Sequence, residues 1–338
     1  MVSDFEAALD KLADGTEPLD RRLLKHFSVL TRAEERRLEE RFGTVDRERR
    51  RQLLKKLIAC AEEDFRLDYT AFFYFCLDSD DPVVRRRAIE GLWEEERAAF
   101  AERLLEMLAS DPAAQVRAAA AEALGRFLFM AGSESFGAKL GPAIQEALDR
   151  AIHADEDTDV VRRAIESIAY VNEPRVYRII EAAYEEGGQR MRESAVFAMG
   201  RSAVDRWTDI VIDELGSRSP AMRYEAARAC GEIQAKRAVD PLGELLGDAD
   251  PEVRTMAVWA LGQIGGERAE EILEYCVEEG DEVLREAASE ALEELRFLAE
   301  PLSLLEVPLE GAVSGGQKSE QESEDEDEEW ADEILDMG

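Results

Sequence analysis

Few side chains in this sequence have the type and spacing that catalysis or metal binding requires. The two histidines, His26 and His153, stand apart, and neither belongs to a metal-binding or nucleophile-activating motif. Cys60, Cys230 and Cys276 lie on predicted apolar helix faces without CxxC spacing, and they are interpreted as small hydrophobic residues. There is no glycine-rich phosphate loop and no dinucleotide fingerprint. The sequence therefore predicts a protein that is not an enzyme and holds neither metal nor cofactor.

Recognition chemistry is concentrated in a strip of aromatic and arginine side chains in the middle of the chain. These residue types dominate the hot spots of protein interfaces. They recur at helix positions that point away from the apolar stripe of each repeat. Other repeats have glutamate at several of the equivalent positions. The predicted partner-binding residues are Tyr170, Phe197, Arg201, Tyr224, Arg228 and Trp259. If they face water, they form a groove suited to an acidic peptide with aromatic residues; the alternative is that they wedge between neighbouring helices.

The elements that position this strip are internal repeats. Phrases such as DPVVRRRAIEGLWE and DPEVRTMAVWALGQ recur seven times, most often 31 residues apart. The phrases align on Ala88, Ala120, Ala164, Ala195, Ala226, Ala257 and Ala288. Apolar residues stand four before and four after each alanine, which is one face of an α-helix. The alanine predicts a close approach between two helices.

The predicted ends of these helices follow from their flanking residues. Asp81 and Asp250, each followed by proline, and Ser219 before Pro220 are expected to cap helix N-termini, as is Asp281 without a proline. The glycines after most of the repeat phrases are predicted to be left-handed C-caps: Gly125, Gly200, Gly231 and Gly262. A second amphipathic helix follows each phrase. Because such a helix pair cannot bury its apolar faces alone, the pairs must stack into a solenoid.

The phrase D-P-x-V-R-x-x-A-x-x-A-L-G resembles the short HEAT repeats that also occur in phycobilin lyases. The resemblance covers residues 76–305, about seven repeats, and implies an all-α, right-handed α-α superhelix whose Val-Arg helices line the concave face. It also implies a ladder between repeats, formed by Asp81, Asp250 and Asp281 with Arg85, Arg117, Arg192, Arg223, Arg254 and Arg285. HEAT proteins of the deoxyhypusine hydroxylase type need His-Glu pairs for iron, which two isolated histidines do not supply.

The two ends of the chain differ from the repeats. Residues 1–75 are predicted to be a helical capping region, with a capping box at Thr31 and Glu34. A basic run, Arg47 to Lys56, is interpreted as a solvated helix face, with contact to RNA, to an acidic protein or to the acidic tail as the alternatives. An insertion near residues 131–142 lengthens one repeat and is interpreted as a surface loop.

Residues 306–338 are predicted to be a disordered acidic tail that ends in a short amphipathic motif. The apolar residues of this motif are Trp330, Ile334, Leu335 and Met337, spaced as on one side of a helix that folds onto a groove. The sequence leaves open whether the motif docks on this chain's own groove or on a partner, or whether the tail only solubilises the chain.

Net charge narrows the choice of partner. The formal charge is −35, of which −22 falls in residues 76–305 and −12 in the tail. This charge repels phosphate groups, so both nucleic acid and anionic membranes are disfavoured. No secretory signal or apolar segment of membrane-spanning length is present, and a cytoplasmic location is expected. The predicted function is a non-catalytic HEAT-repeat scaffold that binds a protein through its concave face; the alternative is a lyase-like or chaperone-like accessory subunit.

Overall fold

The structure is a computed structural model that describes residues 4–15, 17–131 and 140–299. Within these ranges the chain forms α-helices and short 3₁₀ turns and no β-strand, so the predicted all-α repeat fold is confirmed. The helices are α1 Asp4–Asp14, α2 Arg21–Leu24, α3 Arg32–Arg41, α4 Arg47–Glu63, α5 Thr70–Cys76, α6 Pro82–Gly91, α7 Ala98–Ser110, α8 Ala114–Ala131, α9 Leu140–Ala154, α10 Thr158–Ile168, α11 Pro174–Glu186, α12 Gln189–Arg201, α13 Thr208–Glu214, α14 Pro220–Ile233, α15 Val239–Glu244, α16 Pro251–Ile264, α17 Glu267–Glu279 and α18 Glu282–Ala299.

From α5 onward the helices alternate between two rows. The alanine row consists of α6, α8, α10, α12, α14, α16 and α18, each of which carries one of the seven aligned alanines. From α6 to α16 each helix of this row packs on the next. The flanking row consists of α5, α7, α9, α11, α13, α15 and α17. All seven aligned alanines are fully buried, as close helix approach requires. The apolar faces of successive pairs thus form one continuous core.

The glycines after the repeat phrases do not end helices, so their predicted role as left-handed caps was wrong. Gly200 and Gly231 lie inside α12 and α14, on the face that touches the next helix of the alanine row. A Cβ added at Gly200 would stand 2.6 Å from the Cα of Ala229, and one at Gly231 would stand 3.0 Å from the Cα of Ala260. Glycine is therefore needed at these two positions because two backbones meet there. The left-handed conformation falls later, for example at Gln234 after α14.

The predicted N-terminal caps are confirmed. The side chains of Asp81, Ser219 and Asp250 each accept a backbone N–H at the start of α6, α14 and α16, and a proline follows each of them. Asp281 accepts the N–H of Leu284 at 3.0 Å. Thr31 and its partner Glu34 form the expected capping box.

An arginine ladder joins successive repeats, but most of its acidic partners were assigned wrongly. Four arginines pair with an aspartate of the next repeat unit: Arg85 with Asp111 (2.7 Å), Arg117 with Asp155 (2.7 Å), Arg223 with Asp248 (2.6 Å) and Arg254 with Asp281 (3.2 Å). Each also donates to the carbonyl oxygen six residues before it. Asp155 and Asp248 each stand two residues before the aspartate that caps the following helix, Asp157 and Asp250, whereas Asp281 both caps its helix and accepts from the ladder. Arg192 pairs instead with Glu214 at 2.8 Å.

The basic run on α4 is used inside the molecule. The side chain of Asp81, fully buried at the start of α6, accepts Nε–H bonds from Arg47 (3.0 Å) and Arg51 (2.7 Å). Arg50 pairs with Asp80 at 2.8 Å, and Arg49 donates to the carbonyl oxygen of Leu12. These arginines therefore fasten α4 to the first repeat and to α1, and most of the run is not a freely solvated face.

No helix among the described residues has both the length and the apolar composition to cross a bilayer. The insertion residues 132–139, the tail 306–338 and its motif Trp330, Ile334, Leu335 and Met337 lie outside the described residues. The domain boundaries at residues 75 and 305 stay predictions. The described residues up to Arg296 form one compact unit.

Candidate functional site

Four of the predicted residues and one additional residue form a connected surface on the alanine row. The rings of Phe129 (α8) and Tyr170, just after α10, lie with their centroids 5.4 Å apart. The guanidinium carbon of Arg201 (α12) lies 4.9 Å from the centroid of Tyr170 and 4.3 Å from that of Phe197. The guanidinium carbon of Arg228 (α14) lies 3.8 Å from the centroid of Phe197 on α12, the preceding helix of the row. We call these five residues the aromatic–arginine stack.

The two arginines of the stack are less exposed than the sequence suggested. Arg228, whose side chain is only 12% exposed, pairs with Glu225 and Glu232 on its own helix and donates to the carbonyl oxygen of Phe197 at 3.0 Å. Arg201 donates to the carbonyl oxygen of Glu166 at 3.3 Å. Burial lowers the pKa of Arg201, although Tyr170 opposes the shift. Both arginines therefore help to hold neighbouring helices together, as the alternative interpretation expected.

The carboxylates around Arg228 are also partly withdrawn from water. Burial raises the pKa of Glu225 and of Glu232, and the charge of Arg228 opposes both shifts. The Oε2 atom of Glu232 is buried and accepts no hydrogen bond from any described residue. The positive charge of the stack is therefore balanced by nearby carboxylates. Arg201 and Arg228 are the two main cations on which the predicted preference for an acidic peptide depended, so that prediction is weakened.

Aromatic surface remains available at both ends of the stack. Phe129 is 67% exposed at one end. Trp259 on α16, one helix beyond Arg228, is 37% exposed, and its ring covers Gly231 so closely that an added Cβ would stand 2.8 Å from its Cζ3 atom. Tyr224 is half-buried on α14, and burial raises its pKa. Phe197 and Arg228 thus touch, while Trp259 lies on the adjacent helix.

Sequence reasoning missed Phe129, although a signal existed. Phe129 lies nine residues after the aligned Ala120, beyond the columns compared between repeats, because α8 continues to Ala131. The pairing of Arg228 was also readable: Glu225 and Glu232 stand three residues before it and four after it, the spacings at which helix side chains meet.

The histidines, the cysteines and the potential metal ligands were located separately. No group of three or more His, Cys, Asp or Glu side chains in these ranges is placed to hold a metal ion. His153 contacts the carbonyl oxygen of Asp149 through Nδ1 at 2.8 Å, and His26 is half-buried. Burial raises the pKa of the Cys230 thiol to about 12, so the nucleophilic thiolate is suppressed.

Comparison with known proteins identifies the repeat type. A family model described as HEAT repeats matches residues 70–150 and 208–293. No curated protein gives a significant match to the sequence.

Several solved structures resemble the chain in fold. A designed armadillo repeat protein in complex with the peptide (KR)4 is 20% identical, over 57% of this chain and 98% of that one, with a TM-score of 0.39. Human deoxyhypusine hydroxylase is 20% identical, over 87% and 96%, with a TM-score of 0.35. Importin beta is 14% identical, over 86% and 48%, with a TM-score of 0.45. At these identities the similarity carries no information on what this chain binds.

Proposed function

Because residues 70–150 and 208–293 are HEAT repeats, we propose that this HEAT-repeat protein is a non-catalytic scaffold that binds a protein partner through the exposed side of its alanine row. We take this side to be the concave face. The observation that carries the proposal is the aromatic–arginine stack together with Trp259, which places an aromatic or arginine side chain on each of five consecutive repeat units.

The stack supports binding because it is ordered before a partner arrives. Arg201 is held between two rings, and Arg228 is fixed by two carboxylates and one carbonyl oxygen. A rigid surface loses little side-chain entropy on association, and aromatic side chains fixed in this way are typical interface anchors. The partner's contacts would fall mainly on Phe129 and Trp259, while the arginines hold the rings in place.

The other properties of the chain fit a protein partner better than nucleic acid. Net charge is −35, and four arginines of the basic run on α4 are already bound within the molecule. All four cysteines are free thiols, which suits a reducing compartment, and we therefore place the protein in the cytoplasm.

The test is capture of partners from a lysate of the source cells with purified protein, followed by mass spectrometry. Phe129→Ala combined with Trp259→Ala should remove specific partners, because both changes delete exposed aromatic surface. The matched control is Phe65→Ala, which deletes a ring that is 96% exposed in the loop after α4. Unchanged capture by the double variant, with circular dichroism showing that it is folded, would refute the assignment of this face.

A further inference from the structure

We propose that the chain has a second binding surface, a groove between α15 and α17 on the flanking row, that takes a basic segment of a partner protein. The segment would place apolar side chains in the groove and Lys or Arg against its rim. This outer groove lies on the row of helices that does not carry the aromatic–arginine stack.

The groove exists because α15 is short and carries glycine where it faces α17. After the six residues of Val239–Glu244, the chain continues as a 3₁₀ turn, Leu245–Gly247. A Cβ added at Gly243 would stand 3.1 Å from Cδ1 of Ile272, whereas one at Gly247 would meet no atom within 4 Å. The space left between the two helices has a volume of about 750 Å³.

The floor of the groove is apolar and partly open to solvent. It is formed by Leu246, Ile272 and Leu284, of which the first two are only half-buried. Tyr275 lines the same groove and is 64% exposed. Apolar surface in a concave site gains free energy when a partner's apolar side chains remove it from water, so the floor supplies affinity.

The charged residues at the rim of the groove indicate which charge a bound segment should carry. Four carboxylates and one guanidinium line it: Asp240, Glu244, Glu271, Glu279 and Arg268. Arg268 is already shared between Asp240 and Glu271, at 2.9 Å from each. Glu244 and Glu279 are exposed and form no ion pair with any described residue. The rim therefore has a net negative charge that a Lys or Arg would neutralise.

The same rim argues against the acidic tail as the occupant. The motif around Trp330 and Ile334 has enough apolar residues for the floor, but its neighbours are mostly Asp and Glu. Like charges across an interface are unfavourable. A basic segment from another protein satisfies both the floor and the rim.

The probe is a synthetic, fluorescein-labelled peptide that has lysines on both sides of a leucine pair, titrated with the full-length protein in a fluorescence anisotropy assay. Glu244→Lys with Glu279→Lys should weaken binding about fivefold or more, since two charge contacts are replaced by repulsion. The matched control is Glu270→Lys with Glu278→Lys, which makes the same change of charge on α17 at two residues that do not line the groove. The control pair should change binding less than twofold.

A second variant tests the apolar floor independently of charge. Gly247→Phe adds an aromatic side chain at a position where a Cβ would meet no atom within 4 Å, so we expect the fold to persist while the probe loses affinity. Equal weakening by the two Glu→Lys pairs, or equal binding of a probe with Glu in place of Lys, would overturn the proposal. A gain in affinity for the probe on removal of residues 319–338 would also overturn it, because that result would identify the tail as the occupant. Self-association of the protein that Glu244→Lys with Glu279→Lys abolishes would overturn it too, because that result would identify another copy of the chain as the occupant.

Discussion

Gly200→Ala tests whether backbone contact fixes the spacing of the alanine row. The added Cβ would stand 2.6 Å from the Cα and 2.8 Å from the Cβ of Ala229 on the next helix, where carbon atoms ordinarily approach to about 3.5–4.0 Å. No rotamer change relieves this clash, because one partner is backbone. Alanine gains about 1 kcal/mol of helix propensity over glycine. Overpacking typically costs about 1–3 kcal/mol, and a backbone clash belongs at the upper end.

We therefore expect Gly200→Ala to lower the free energy of unfolding by about 1–2 kcal/mol. Urea unfolding followed by circular dichroism measures this, with the slope m compared between variants. Gly43→Ala is the control, since its added Cβ meets no atom within 4 Å. An increase in stability for Gly200→Ala would show that the helices are not in contact there. If Gly200→Asn were tolerated better than Gly200→Ala, the C-cap interpretation would return.

Three further predictions follow from buried groups. Ala226→Leu should cost about 1–3 kcal/mol by overpacking, whereas Ala221→Leu, at an exposed position of the same helix, should cost less than about 0.5 kcal/mol in the same urea assay. Burial alone would raise the pKa of Asp81, but hydrogen bonds from two arginines of α4 outweigh it and the pKa is lowered. Its contribution to stability is therefore present above the pKa of an unfolded aspartate, about 4, and is lost as pH falls towards the folded value, so Asp81→Asn should destabilise the protein at pH 7 and make little difference in strong acid. In alkylation with iodoacetamide followed by mass spectrometry, half-buried Cys60 should react in the folded protein and Cys230 only after unfolding; modification of Cys230 at an equal rate would contradict its burial.

The period of the repeats could be predicted from the sequence because it is written in residue types. Ala195 and Ala226 repeat in register, and each is fully buried. Capping residues are similarly local: Asp250 and the proline after it specify a helix start without reference to the rest of the molecule.

Contacts between repeats could not be predicted in the same way. A glycine such as Gly200 looks the same in sequence whether it ends a helix or lies where two helices touch, and the distance to Ala229 decides between them. The partner of Arg223 is Asp248, whereas Asp250 caps the following helix. The sequence does not show which of the two carboxylates points towards the preceding repeat, because that depends on the geometry of the loop.

The sequence could predict which residues of the candidate site are neighbours, but it could not predict which of them are buried and which are exposed to a partner. The adjacency of Phe197 and Arg228 follows from the repeat register, and it is observed at 3.8 Å. The burial of Arg228 depends on how far Glu225 and Glu232 fold over it, which is a property of packing. For this reason Arg228→Glu is a poor test of binding, since it would place a third carboxylate beside two that already have raised pKa values.

The arginine ladder gives the array a directional connectivity. Arg85, Arg117, Arg223 and Arg254 each reach forward to a carboxylate of the following unit while holding a carbonyl oxygen of their own unit. Removal of a unit from the C-terminal end would therefore leave the guanidinium of the preceding unit without its carboxylate partner. Removal of a unit from the N-terminal end would instead leave a carboxylate without its guanidinium partner. Truncations from the two ends are thus chemically unequal, and a shortened array needs a different compensating substitution at each cut.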